Sequence, residues 1–234
     1  MNNRDIDGII LLDKPLGLSS NQALQKVKRL FKAKKAGHAG TLDPLATGMF
    51  PILLCQATKY AQYLLSANKR YQFTMQLGTL TSTGDAGGEV IDTCEVKPLT
   101  SMRLKQVVKQ FQGKLSQIPP KYSAIKVKGQ PLYRYALNNQ DVEIQAREVT
   151  IHQLKLLDYQ NNYLDFEVLC SKGTYIRSLA EDIAASLDMV SHVRQLRRLS
   201  TSPFNDLIQT PIVTLERLEQ SNHLDDFILP IDLA

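Results

Sequence analysis

Residues 37–48 read Gly37-His38-Ala39-Gly40-Thr41-Leu42-Asp43-Pro44-Leu45-Ala46-Thr47-Gly48, a composition suited to presenting one carboxylate. Three glycines permit positive φ and close approach of another chain. Asp43 stands before Pro44, whose ring pushes the preceding residue out of the helical region, so a stiff, extended backbone aims the carboxylate. Such a group can act as a nucleophile or as a fixed charge. The same residues also spell an Asp-Pro turn in which the carboxylate merely caps an amide, and both readings stand. His38 can be a general base, a ligand or a satisfied polar residue. Downstream, Arg177 can keep a carboxylate ionised and grip it bidentately, or pair with Glu181 at i, i+4 on a helix surface.

The motifs that are missing narrow the chemistry. The sequence contains no GxxxxGK[ST], no GxGxxG after a strand, no HExxH, no GxSxG, and no H-x-E with P-C-x-x-C. The expectation is chemistry by side chains alone, with no cofactor and no metal. Cys55, Cys94 and Cys170 are widely spaced, without a CxxC pair, and read as free thiols or small apolar residues.

Charge points toward a polyanion. The 234 residues carry a net +5, with 43% hydrophobic and 22% charged residues, an ordinary globular balance. Six of the ten residues from Lys26 to Lys35 are basic. Arg194, Arg197 and Arg198 form a second group; Lys121, Lys126, Lys128 and Arg134, interleaved with Tyr122, Tyr133 and Tyr135, form a third. Each alone reads as a solvated face; three together, with no matching acidic run, read as a nucleic-acid surface. No apolar run reaches membrane-spanning length, and Met1-Asn2-Asn3-Arg4-Asp5 lacks the layout of a secretory signal, so a cytoplasmic protein with no membrane partner is expected.

The elements that must position these residues follow from periodicity. Gly8 to Leu12 predicts a short buried strand, ending in a turn at Asp13-Lys14-Pro15-Leu16-Gly17. Ser19 and Gln22 have capping-box spacing, and Leu24, Val27, Leu30 and Phe31 stripe one helix. Gln56 to Ala67 predicts a second helix, with Ala57, Tyr60, Ala61 and Leu64 on one face. From Arg70 to Leu77 the period is two, which places Tyr71 on an apolar face with Phe73, Met75 and Leu77. Thr81 to Gly88 reads as a loop and Val90 to Glu95 as a strand. Leu104, Val107, Val108 and Phe111 mark a helix stopped by Gly113. Pro119 to Arg147, with its polar Asn138-Asn139-Gln140, reads as an exposed, mobile insertion. Glu148 to Leu157 and Tyr163 to Cys170 predict strands. Ile176, Leu179, Ala180, Ile183, Ala184 and Leu187 stripe a last helix, with Thr174 as N-cap. Beyond Leu199 the chain breaks at Pro203, Pro211 and Pro230. The mixture predicts an α+β fold with a largely antiparallel sheet.

Three blocks occur in a familiar order: Asp13-Lys14-Pro15-Leu16-Gly17-Leu18-Ser19-Ser20, the Asp43 loop, and Cys170-Ser171-Lys172-Gly173-Thr174-Tyr175-Ile176-Arg177. From about Gly8 to Leu199 the chain resembles the TruB family, the bacterial tRNA pseudouridine(55) synthases. The resemblance implies the pseudouridine synthase fold: a mixed, largely antiparallel central sheet flanked by helices, over residues 1–210, with 119–147 as an inserted RNA-embracing loop. It further implies a tail at 211–234, with no PUA-type module, and a monomer.

By resemblance Asp43 is the catalytic nucleophile, Arg177 its partner, and Tyr71 stacks on a flipped base and takes part in catalysis. His38 engages the RNA, Tyr175 lies against base or ribose, and Leu196, otherwise plain core, contacts the target uridine. Lys126 and Lys14 are weaker carry-overs for the pocket and the RNA. The implied activity is isomerisation of a uridine in the T arm of tRNA, which needs a nucleophile, a group to hold it ionised, and a pocket for an extruded base. Two other readings remain: an RNA-binding or tRNA-folding protein, and a hydrolase using His38 and Asp43.

Overall fold

A computed structural model describes residues 3–138, 140–204 and 212–231; Asn139 and Pro211 lie outside them. In chain order the elements are β1 (Gly8–Lys14), α1 (Ser20–Leu30), β2 (Ala36–His38), β3 (Ala46–Leu54), a 3-10 helix (Cys55–Tyr60), α2 (Ala61–Ser66) and β4 (Lys69–Leu77). There follow β5 (Thr79–Thr81), β6 (Val90–Thr93), α3 (Ser101–Gln110), β7 (Gly113–Gln117), β8 (Lys126–Val127), β9 (Gln130–Pro131), α4 (Leu132–Leu137) and β10 (Arg147–Gln160). The last are β11 (Tyr163–Cys170), α5 (Ile176–Ser186), β12 (Ser191–Thr201), α6 (Leu215–Gln220) and a 3-10 turn (Leu224–Phe227). The chain divides into two compact units, one of residues 1–71 with 196–234 and one of residues 72–195, so β4 and β12 contribute to both.

In the first unit β1 and β2 pair antiparallel with β3, while β12 joins β3 in parallel through Leu196↔Ala46 and Arg198↔Gly48. Ile9 and Leu11 from β1, Met49 and Leu53 from β3, and Ala57, Leu64 and Phe204 share one core. Helix α1 begins as its sequence dictates: Ser19 accepts from Gln22 N–H and the Gln22 side chain returns to Ser19 N–H, both halves of the capping box. Ala23, Leu24 and Val27 are buried, and Phe31, just past its end, is fully buried. The strand expected to end at Leu12 continues through Lys14. The helix expected over 56–67 instead starts with a 3-10 segment, and Tyr60 stands 42% exposed rather than on the apolar face.

In the second unit the order is β12, β4, β11, β10, β7, with β10 antiparallel to both neighbours. Burial alternates along β4 and β11, and Phe73 stacks on Phe166 at 5.3 Å between ring centres. Gly113 has φ +97°, turning the chain out of α3 and directly into β7, a strand the periodicity did not announce. Residues 119–147, expected as an insertion, hold a hairpin of two short strands, β8 and β9, and α4; Tyr135 Oη donates to the Val127 carbonyl at 3.1 Å. Residues of this same segment line a cavity of about 310 Å³, among them Pro119, Ile125, Lys126, Glu143 and Arg147. Thr174 does not cap α5: its Oγ1 donates to the Ser171 carbonyl, and Tyr175 occupies the N-cap position without a capping bond from its own side chain.

Candidate functional site

Asp43 is half-buried between β2 and β3, and the chain on either side of it is fixed. On one side, Ser20 Oγ both accepts from Leu42 N–H and donates to Leu42 C=O, each at 2.8 Å. On the other, the Pro44 carbonyl accepts from Gly17 N–H at 2.9 Å and from Lys14 Nζ at 3.4 Å. Ala46 N–H closes the turn on the Asp43 carbonyl at 3.0 Å. Two of the three glycines take the conformation that only glycine adopts easily, Gly40 at φ +93° and Gly48 at +100°. At Gly48 a side chain is also blocked sterically, because a Cβ would stand 2.2 Å from the Arg198 carbonyl oxygen of β12.

Three basic groups gather at this loop. Lys14 is fully buried, and its ammonium rests on the carbonyls of Leu18 (2.6 Å), Pro15 (3.0 Å) and Pro44. Burial pushes it down to about 8; the Asp43 carboxylate opposes that shift and the Arg198 charge adds to it. Arg198, 1% exposed, donates from Nε to the Met49 carbonyl at 2.6 Å. His38 lies beside Phe50, ring centres 5.1 Å apart, and is held below its ordinary range first by burial and then by Arg198, so its imidazole is neutral at pH 7. A neutral imidazole can donate from one nitrogen and accept at the other. Its sequence neighbour Arg197 grips Asp13 bidentately at 2.7 and 2.9 Å. Arg197 and Arg198, counted from sequence as a surface charge group, are therefore a paired and a buried residue.

The first unit also holds Tyr71, 8% exposed on β4, and Leu196, half-buried on β12 opposite Ala46. The second unit holds Arg177, Tyr175 and Lys126. Arg177 is 4% exposed, and its guanidinium donates to the carbonyls of Thr83 (2.7 Å) and Tyr122 (3.0 Å). A solvent-facing pair with Glu181 is thereby ruled out as the description of this side chain. Glu181, largely buried in the same helix, is raised by burial and by Asp182, with Arg177 opposing. Tyr175 is half-buried and Lys126 is exposed on β8. Among the described residues, the ligand atoms of Asp5, Asp7 and Cys55 lie within 4.8 Å of one another; Asp5 is bound to Lys34 at 3.0 Å and Asp7 accepts from Gln56 N–H.

The sequence alone gives no role in fixing the site to Ser20, Gln117 or Arg198. Ser20 follows an N-cap serine and reads as an ordinary first-turn residue; Gln117 is one polar residue ahead of a Pro-Pro pair; Arg198 sits in a run of charge. Their importance lies in partners 22, 58 and 149 positions away, which no local pattern encodes.

Two family models together match residues 28–234: TruB family pseudouridylate synthase, N-terminal domain, over 28–176, and the tRNA pseudouridylate synthase B C-terminal domain over 177–234. The tRNA pseudouridine synthase B of Haemophilus influenzae is 48% identical over 99% of this chain and 75% of its own length. Its counterpart from Pseudomonas putida is 50% identical over 98% and 76%. Among solved structures, a Cbf5-Nop10-Gar1 complex superposes with a TM-score of 0.73 at 28% identity, over 96% of this chain and 60% of that one. An H/ACA RNP bound to a substrate RNA containing 2'-deoxyuridine gives 0.70 at 26% identity, over 96% and 59%.

Proposed function

From the premise that the chain belongs to the TruB family of pseudouridylate synthases, which are isomerases, we propose that it converts uridine 55 in the T loop of tRNA to pseudouridine, with Asp43 as its catalytic carboxylate. The observation that carries the assignment of Asp43 is its place on a loop pinned at both flanking residues, with the buried Lys14 ammonium as an electrostatic neighbour. In the reaction the bond from N1 of uracil to C1' breaks, a bond from C5 to C1' forms, the C5 proton is lost and N1 gains one. Asp43 attacks either the uracil ring or C1'. Arg177 keeps the carboxylate charged and oriented, Tyr71 stacks on the extruded base, and His38, Tyr175 and Leu196 contact the nucleotide. Lys126, exposed on the insertion, meets the RNA backbone. Lys14 serves through the loop: its ammonium is occupied by three carbonyls, so it shapes the turn that carries Asp43.

The reading as a tRNA enzyme is supported by identity: 48–50% to the tRNA pseudouridine synthase B proteins against 26–28% to the Cbf5 and H/ACA chains. The working form we assign is a cytoplasmic monomer. Among the described residues, no helix is long and apolar enough to cross a membrane.

The test is tritium release from T-arm tRNA labelled at uracil C5. Stoichiometric release from one uridine is expected with the wild-type chain, falling to background in Asp43→Asn with tRNA affinity retained. Release that persists in Asp43→Asn removes that residue from the chemistry; tight binding without release by the wild-type chain favours a tRNA-binding role.

A further inference from the structure

Strand β7 ends at Gln117, a polar residue only 3% exposed. Its carboxamide faces the backbone of Tyr175: Nε2 donates to the Tyr175 carbonyl at 3.0 Å, and Oε1 accepts from Tyr175 N–H at 2.8 Å. This two-point pairing is what a neighbouring strand would supply, delivered by one side chain. It falls at the N-cap of α5, where backbone donors lack intrahelical partners and where no side chain of the helix itself forms a cap. Two more bonds join the same segments. Ser178 Oγ donates to the Ile118 carbonyl at 2.8 Å, and Arg177 Nη2 donates to the Tyr122 carbonyl at 3.0 Å. Residues 117–122, the root of the insertion, are thus laced onto residues 175–178.

We propose that Gln117 is a positioning residue of the isomerisation: its buried amide holds the Tyr175 backbone, and so sets where the Tyr175 ring and the Arg177 guanidinium stand while the insertion is loaded with RNA. The inference rests on the reading of Tyr175 and Arg177 as site residues. A leucine at 117 would keep the volume and remove both bonds. An ionised glutamate would keep the acceptor for Tyr175 N–H but set oxygen against the Tyr175 carbonyl. Once protonated, the same glutamate donates to that carbonyl and restores the pair, and burial favours the protonated form. Gln117→Glu is therefore rescued by acid if the pairing is what matters.

The experiment measures single-turnover pseudouridine formation on tRNA at saturating enzyme, tRNA affinity by filter binding, and folded fraction at the assay temperature by circular dichroism. Gln117→Leu is expected to slow the single-turnover rate about 10- to 100-fold, the scale of an ångström-sized misplacement, with affinity changed by no more than about 3-fold. The rate of Gln117→Glu relative to wild type is expected to rise about tenfold from pH 8 to pH 6. In an Arg177→Lys background, Gln117→Leu should add little, because both act on one arrangement. A wild-type rate in Gln117→Leu, a pH-independent Gln117→Glu ratio, or effects that multiply with Arg177→Lys would each overturn the proposal. If Gln117→Leu is unfolded at the assay temperature, the Gln117→Glu ratio decides. Wild-type rates in both Arg177→Lys and Tyr175→Leu would instead sink the site reading on which the proposal rests.

Discussion

Replacing Ser20 by alanine should separate the fixing of the Asp43 loop from the stability of the helix that carries Ser20. The hydroxyl is 5% exposed and serves both the N–H and the C=O of Leu42, itself 3% exposed and next to Asp43 in sequence. Its removal leaves two buried backbone groups without that partner, at about 1–3 kcal/mol each, while alanine in the first turn of α1 returns a few tenths through helix propensity. The net expectation is a loss of about 1.5–5.5 kcal/mol, read as a lower urea midpoint at unchanged slope. Turnover should fall about tenfold or more, because the carboxylate shifts with Leu42. Ser19→Ala is the matched control. It removes the cap of the same helix, costs about 1 kcal/mol, leaves the Leu42 bonds intact, and should leave the single-turnover rate unchanged. A Ser20→Ala protein within about 0.5 kcal/mol of wild type, turning over normally, would refute the view that Ser20 fixes the loop.

Gly48→Ala should cost about 3 kcal/mol or more, since the added Cβ meets the Arg198 backbone on β12 at a φ of +100°; an unchanged urea midpoint would mean the β3–β12 pairing yields freely at this point. Lys14 gives a pH signature of defined sign. Its folded value of about 8 lies below the ordinary 10.5, so the unfolded chain binds more protons between those values, and stability from this group rises with pH across that window. Relative to Lys14→Met, wild type should gain about 2 kcal/mol between pH 7 and pH 9.5, measured by urea unfolding; a flat difference would show that the buried ammonium is not depressed.

Where a local pattern was sufficient, the sequence was readable. The capping box at Ser19 and Gln22, the alternation along β4 and the bounds of β11 depend on neighbours two to four residues apart, and each is present. Thr174 is not the cap because a threonine before a helical stripe caps only where its hydroxyl oxygen reaches the first-turn N–H groups; here the hydroxyl donates to the Ser171 carbonyl, and the Gln117 carboxamide serves the Tyr175 backbone. Strand β7 was hidden by its exposed, weakly alternating side chains, since its pairing with β10 runs through backbone bonds. At the site, Asp43 was legible as a residue type in an unusual loop, whereas the burial of Lys14, Arg177 and Arg198 was not. Lysine and arginine are rarely enclosed, and what receives these is a set of backbone carbonyls, from distant segments for Arg177 and Arg198 and mainly from the turn just after β1 for Lys14.

The Lys14 ammonium, seated among the carbonyls of Pro15, Leu18 and Pro44, is coordinated much as a small cation would be. An ion taken from solution leaves on dilution and competes with other ions; this one is tethered to β1 by four methylenes. Its place in the turn does not depend on which salts the buffer contains, and below about pH 8 it keeps its charge there. Added salt can therefore weaken the enzyme's hold on RNA phosphates without emptying that seat, so the salt dependence of turnover becomes a count of RNA contacts.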